Sequence, residues 1–149
     1  MSDKYEAIKL RNQLCFPLYL CAKEVTRKYT AFLDQLDLTY TQYVVMMYLW
    51  ETENSTAHEM SEALMLDPST LTPLLKKLES KGYITRTRSE TDERSLIITL
   101  TETGTSLKEK ALEIPAQMKC CIDLTPEEGA VLGGLIMKIL RKIESTEKE

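Results

Sequence analysis

Apolar residues recur at helical spacing through most of the chain. Leu18, Ala22, Val25, Tyr29, Phe32, Leu33 and Leu36 are three or four residues apart and make one face, which predicts a long first helix over 12–36. Pro17 has no N–H to give, so it is tolerated only in a first turn. The helix therefore starts, or bends, close to Cys15. Thr39-Tyr40-Thr41-Gln42 has the form of a capping box opening a second helix, which carries Val44–Trp50 into the core. Thr56-Ala57-His58-Glu59 opens a short third helix ending near Leu64. Asp67-Pro68 supplies an N-cap and a first helical position for a fourth helix, which runs to about Lys81 and stops at Gly82. The period then changes to two. Tyr83–Arg88 and Ser95–Leu100 read as strands, and the polar run Ser89–Arg94 between them reads as a charged hairpin tip. Thr101 caps a fifth helix reaching about Ile122, broken or bent at Pro115. Thr125-Pro126-Glu127-Glu128 opens a last helix that buries Val131, Leu132, Leu135, Ile136, Ile139, Leu140 and Ile143.

The fold class is therefore mainly α with a small β-wing. Five glycines and five prolines are scattered rather than gathered into a linker, and 149 residues suit one domain. The first helix and the last two are too apolar for one chain of this length to cover, which predicts a homodimer built from the two termini. The run Val44–Trp50 falls far short of the ~20 apolar residues that span a bilayer. Met1–Glu6 lacks the apolar stretch of a signal peptide. The expectation is a cytoplasmic protein with no membrane partner. Cys15, Cys21, Cys120 and Cys121 lack the spacing of a zinc site, and His58, the single histidine, reads as a surface helix residue. No metal or cofactor is expected, and histidine-based catalysis has little support.

A short helix, a three-residue turn, a second helix and a β-hairpin follow the order of a winged helix-turn-helix. The fourth helix offers Ser69, Thr70, Thr72, Lys76 and Lys77 to a nucleic acid, while Leu71, Leu74, Leu75 and Leu78 pack inward. From Leu66 to Arg88 there are five basic residues (Lys76, Lys77, Lys81, Arg86, Arg88) and two acidic ones (Asp67, Glu79), in a chain of net charge −4. Such a local excess is the footprint of phosphate binding. Arg94 at the hairpin tip is placed to enter a minor groove, and Asp92 to hold the wing by pairing with a basic side chain.

Leu66-Asp67-Pro68-Ser69-Thr70-Leu71-Thr72-Pro73-Leu74-Leu75-Lys76-Lys77-Leu78-Glu79, with Asp92-Glu93-Arg94-Ser95 through Gly104, resembles the MarR family of transcription regulators. Asn12-Gln13-Leu14-Cys15-Phe16, Tyr29 and Leu38–Tyr43 are similar to the OhrR group of organic-hydroperoxide-sensing repressors and their staphylococcal redox-regulator relatives. The likeness covers nearly the whole chain as one MarR-type domain. It implies dimerisation helices over 1–36 and 105–149 and a DNA-binding lobe over 40–104. The implied partners are double-stranded DNA with an inverted-repeat operator, a second copy of the chain, and an organic hydroperoxide as oxidant. The likeness also implies a reactive cysteine matching Cys15, approached by two tyrosines of the partner subunit at positions matching Tyr29 and Tyr40. Pro17 departs from the aliphatic residue of the group. Some members carry a resolving cysteine towards the C-terminus, for which Cys120 and Cys121 are the candidates here.

The residues support Cys15 independently. The thiolate, not the thiol, attacks peroxide, and a helix N-terminus favours the charged form. Tyrosine hydroxyls donate to a thiolate or a peroxide oxygen. Cys21 reads as a core residue and is a poor disulfide partner. Six helical residues separate it from Cys15, ~9 Å of rise, whereas a disulfide needs Cα atoms within about 7 Å. The alternatives are a repressor released by a phenolic or aromatic ligand and a broader redox-responsive virulence or resistance regulator. A thiol peroxidase is disfavoured, because no Pro-x-x-x-Thr-x-x-Cys motif leads to Cys15.

Overall fold

The structure, a computed structural model, describes residues 4–147. Met1–Asp3, part of the segment read above for a signal peptide, lie outside it. The chain divides into two compact units, 1–114 and 115–149.

In the first unit, α1 spans Cys15–Leu33, and a single 3-10 turn, Asp34–Leu36, ends it at Asp37, whose φ of 51° turns the chain away. Pro17 is the third helical residue, where an N–H has no intrahelical partner, so α1 begins at Cys15 without loss. Burial along α1 is graded. Leu33 and Leu36 are buried, Val25, Tyr29 and Phe32 are half-buried, and Leu18 and Ala22 are exposed. Helix α2 (Tyr40–Thr52) has the expected capping box: Gln42 N–H donates to Thr39 Oγ1, and Thr39 N–H to Gln42 Oε1. Its Tyr43, Val45, Met46, Leu49 and Trp50 form the centre of the core.

Asn54–Thr56, of which the sequence pattern assigned only Thr56, as a helix cap, form β1. Helix α3 (Ala57–Leu64) follows with its own capping box, Thr56 and Glu59, and His58 is exposed as expected. Helix α4 spans Pro68–Ser80. Asp67 stands at its N-cap, but its carboxylate caps nothing; the backbone carbonyl instead receives the N–H groups of Thr70 and Leu71. Helix α4 ends in a Schellman turn. Tyr83 N–H donates to the Leu78 carbonyl and Gly82 N–H to that of Glu79, with Gly82 at φ 75°. Strands β2 (Ile84–Arg88) and β3 (Leu96–Leu100) make the hairpin, and β1 joins the other edge of β3, giving an antiparallel order β1-β3-β2. Ser55 and Arg86 both face Ile98 in the register.

Helix α5 (Glu102–Ala111) is capped by Thr101. Its Gly104 lies so close to β2 that a Cβ there would sit 2.0 Å from the Tyr83 carbonyl oxygen. The Gly104 carbonyl accepts the Trp50 indole N–H at 3.0 Å, which ties α5 to α2. The expected break occurs before Pro115. Lacking an N–H for the Ala111 carbonyl, Pro115 cannot continue α5, and a separate helix, α6 (Ile114–Ile122), starts instead.

In the second unit, α7 spans Pro126–Glu147 and is opened by Thr125 and Glu128 as expected. The expectation that it buries Val131, Leu132, Leu135, Ile136, Ile139, Leu140 and Ile143 fails for the single chain. Helix α7 has no buried residue, and Val131 is 64% and Leu135 54% exposed. Ile136 and Leu140 are half-buried, and the others are exposed.

Candidate nucleic-acid interface and thiol site

Helix α4 is amphipathic in the way a groove-reading helix requires. Leu71, Leu74, Leu75 and Leu78 are buried, each contributing about 1.5–3 kcal/mol to holding the helix on the core. Ser69, Thr70, Thr72, Lys76 and Lys77 all lie on the exposed side. Pro73 within α4 removes the N–H that would bond to the Ser69 carbonyl. Beside α4, a cleft of about 300 Å³ is lined by Thr39, Thr41 and Gln42 of the α2 start and by Thr70, Pro73, Leu74 and Lys77. The sequence pattern does not point to Thr39 and Gln42 as lining such a cleft.

The wing carries Arg88 at the end of β2 and Asp92 and Arg94 in its tip, all exposed. Asp92 does not hold the wing through a basic side chain. Its Oδ1 accepts the backbone N–H of Arg94 at 3.0 Å, and its carbonyl accepts that of Ser95 at 2.8 Å. This closes the turn locally and leaves the Arg94 guanidinium outward.

Two of the basic residues counted in the sequence are engaged inside the lobe. The Arg86 Nε and Nη2 donate to Glu79 Oε2 at 2.9 and 2.6 Å, and the Arg86 backbone N–H donates to Glu79 Oε1 at 3.2 Å. These donors hold the Glu79 carboxyl below the usual carboxylate range. The Lys81 ammonium donates to the Asp37 carbonyl and to Gln42 Oε1 and pairs with the Asp37 carboxylate at 3.3 Å. With the Tyr83 hydroxyl on the Leu36 carbonyl, it fastens the α1–α2 corner to the end of α4. Lys76, Lys77, Arg88 and Arg94 keep free charges among the described residues.

Cys15 is the first residue of α1, exposed and unpaired. Cys21, expected in the core, is also exposed, because only the C-terminal end of α1 packs within the chain. Cys120 and Cys121 are exposed on α6. The structure brings Tyr29 and Tyr40 together, with ring centroids 4.8 Å apart, and adds Tyr43 at 6.0 Å from Tyr29, a member the sequence did not single out. Burial, and then the neighbouring Tyr40, push the Tyr29 hydroxyl above the ordinary tyrosine value. Cys15 does not meet Tyr29 within one chain. Fourteen residues of the same helix separate them, ~21 Å at 1.5 Å per residue.

A family model described as transcriptional regulator SarA/Rot matches residues 27–111. An organic hydroperoxide resistance transcriptional regulator of Bacillus subtilis (strain 168) is 53% identical over 115 residues, 77% of this chain and 78% of that protein. The chain belongs to the MarR family of transcriptional regulators, in its organic-hydroperoxide-resistance branch.

Other MarR-type relatives are also close. The HTH-type transcriptional regulator SarZ of Staphylococcus aureus (strain USA300) is 48% identical over 109 residues, 73% of this chain and 74% of SarZ. Reduced AbfR bound to DNA superposes with a TM-score of 0.78 at 35% identity, covering 95% of this chain and 99% of AbfR. The disulfide form of AbfR superposes less well, at 0.66, with 34% identity over 92% of this chain and 96% of AbfR. These relatives are regulators rather than enzymes. Among the described residues of this MarR-type chain, no helix is long and apolar enough to cross a membrane.

Proposed function

We propose that the chain is a homodimeric repressor that binds an inverted-repeat operator and leaves it when an organic hydroperoxide oxidises Cys15. The observation that carries this reading is the separation of Cys15 from Tyr29 along one rigid helix. A thiol site made of these residues needs a second copy, whose Tyr29–Tyr40 pair approaches Cys15 across the dimer. The exposed apolar residues of α1, and separately those of α7, support the same assembly, since a large exposed apolar patch marks an interaction site. We assign 1–36 and 105–149 to dimerisation and 40–104 to DNA contact.

On the DNA side, Ser69, Thr70 and Thr72 of α4 reach base edges and phosphates. Lys76, Lys77 and Arg88 neutralise the backbone, and Arg94 enters the minor groove. The cleft between the α2 start and Lys77 takes a further backbone phosphate, since helix N-termini favour anions. Asp92 shapes the wing rather than touching DNA. The greater likeness to DNA-bound AbfR, reduced or overoxidised (TM-score 0.78 for each), than to its disulfide form (0.66) supports reading this conformation as the DNA-competent one. A cytoplasmic location suits four thiols that must stay reduced.

On the redox side, peroxide converts the Cys15 thiolate to a sulfenic acid and is itself reduced to an alcohol. A second thiol then displaces water to form a disulfide. Cys120 of the partner subunit is the proposed resolving thiol, with Cys121 second. Mass spectrometry after one equivalent of cumene hydroperoxide tests this. Cys15 is expected to be the first cysteine modified; modification elsewhere with Cys15 intact contradicts the reading. Operator release by salicylate without oxidation of Cys15 would favour a phenolic-ligand regulator instead.

A further inference from the structure

We infer that Glu79 is a positioning residue for DNA reading. It fixes the wing to the recognition helix by holding Arg86, and Arg86 is not itself a phosphate contact. The inference rests on the DNA-binding reading above.

Glu79 lies in the last turn of α4, and Arg86 is the third residue of β2. The connection between them turns at Gly82, whose positive φ ends the helix but sets no angle for the hairpin beyond it. The carboxylate supplies that angle. It takes three donors from one residue, two from the guanidinium and one from the backbone, so the side chain and the strand direction are fixed together. A carboxylate–guanidinium fork of this kind is directional, which a lysine cannot reproduce. Arg86 pairs with Ile98, the buried residue at the centre of β3, so the fork grips the hairpin at its middle. Arg94 extends from the same hairpin. The Arg86 side chain is only 20% exposed and its charge is matched by Glu79, so it adds little to the free cations facing DNA. Neutralised charges release no counterions when DNA binds.

The two roles predict opposite results. If Arg86 touched phosphate, Glu79→Gln would free a cation and tighten binding to every duplex. If Glu79 positions the wing, the same change loosens the register between the α4 side chains and Arg94, and the loss falls on sequence discrimination.

The test measures affinity for an operator duplex, selected from a random-sequence pool, and for an unrelated duplex, across a range of salt. It uses the reduced full-length protein, Glu79→Gln, Arg86→Lys and the charge-neutral pair Glu79→Gln/Arg86→Gln. The expected result is that the operator-to-unrelated ratio falls about tenfold in all three variants, as when a base-contacting group is displaced. The double variant should keep the parental salt slope. Arg86→Lys retains the charge without the fork, and it covers the case in which another variant fails to fold. Glu79→Gln with tighter binding and an unchanged ratio overturns the inference. So does a slope reduced by about 0.9 in the double variant, the signature of one lost phosphate contact. A parent protein with no operator preference overturns the DNA-binding reading itself, and this inference with it.

Discussion

Tyr29 keeps its proton more firmly than a free tyrosine because burial and the adjacent Tyr40 disfavour the phenolate. It therefore remains a hydroxyl donor through neutral and mildly alkaline pH, which is what stabilising a thiolate or orienting a peroxide demands. Tyr29→Phe and Tyr40→Phe keep the rings packed and delete the donors. Both should bind operator when reduced and lose it more slowly on peroxide addition in a stopped-flow anisotropy trace. Parental rates in both would make the pair a packing feature only. Glu79 shows the opposite direction of shift. Its folded carboxyl is held low by Arg86. The stability it contributes is present above the ordinary carboxylate value and is lost as pH falls through the folded value. Acid titration of the folded protein should show Glu79 protonating at lower pH than exposed glutamates, and Arg86→Gln should raise it toward the ordinary range. An NMR titration of side-chain carboxyl shifts reads this directly.

At the scale of elements, the sequence was most legible where a local rule acts alone. The boxes at Thr39/Gln42, Thr56/Glu59 and Thr125/Glu128 state helix starts in four letters, and the four leucines of α4 declare its buried face. Strand β1 was hidden because Asn54-Ser55-Thr56 has no alternation of its own and becomes a strand only by pairing with Thr99, Ile98 and Ile97. The Arg86–Glu79 and Lys81–Asp37 pairs were hidden for a related reason. Composition counts charges, but only the folded chain decides which of them neutralise each other. Gly104 likewise reads as an ordinary residue in the first turn of a helix until α5 is seen against the Tyr83 carbonyl. Because the clashing atom is backbone, Gly104→Ala must move α5 or β2. A loss of about 1–3 kcal/mol is expected, measured as a lower urea midpoint at unchanged m-value; an unaltered midpoint would show that α5 does not pack there as described.

For the whole molecule, the apolar residues left uncovered on α1 and α7 were predicted by pattern to be buried and are not, within one chain. A second copy resolves the difference, and in the proposed thiol site it also supplies the tyrosines. The dimer should therefore persist in Cys15→Ser, since serine is close to cysteine in size and the apolar residues of α1 and α7 are unchanged; sedimentation of a monomeric Cys15→Ser would contradict this. Oxidised protein should run as a covalent dimer on a non-reducing gel. Replacing both Cys120 and Cys121 by Ser should abolish that band while leaving Cys15 oxidisable.

The most direct measurement is fluorescence anisotropy of an operator duplex held by the reduced protein as one equivalent of cumene hydroperoxide per subunit is added, followed by a dithiol reductant. The account predicts that the parent protein releases the duplex and rebinds it on reduction, while Cys15→Ser binds as well as the parent and never lets go. Release from Cys15→Ser at the parental rate, or a parent that stays bound with Cys15 fully oxidised, would contradict it.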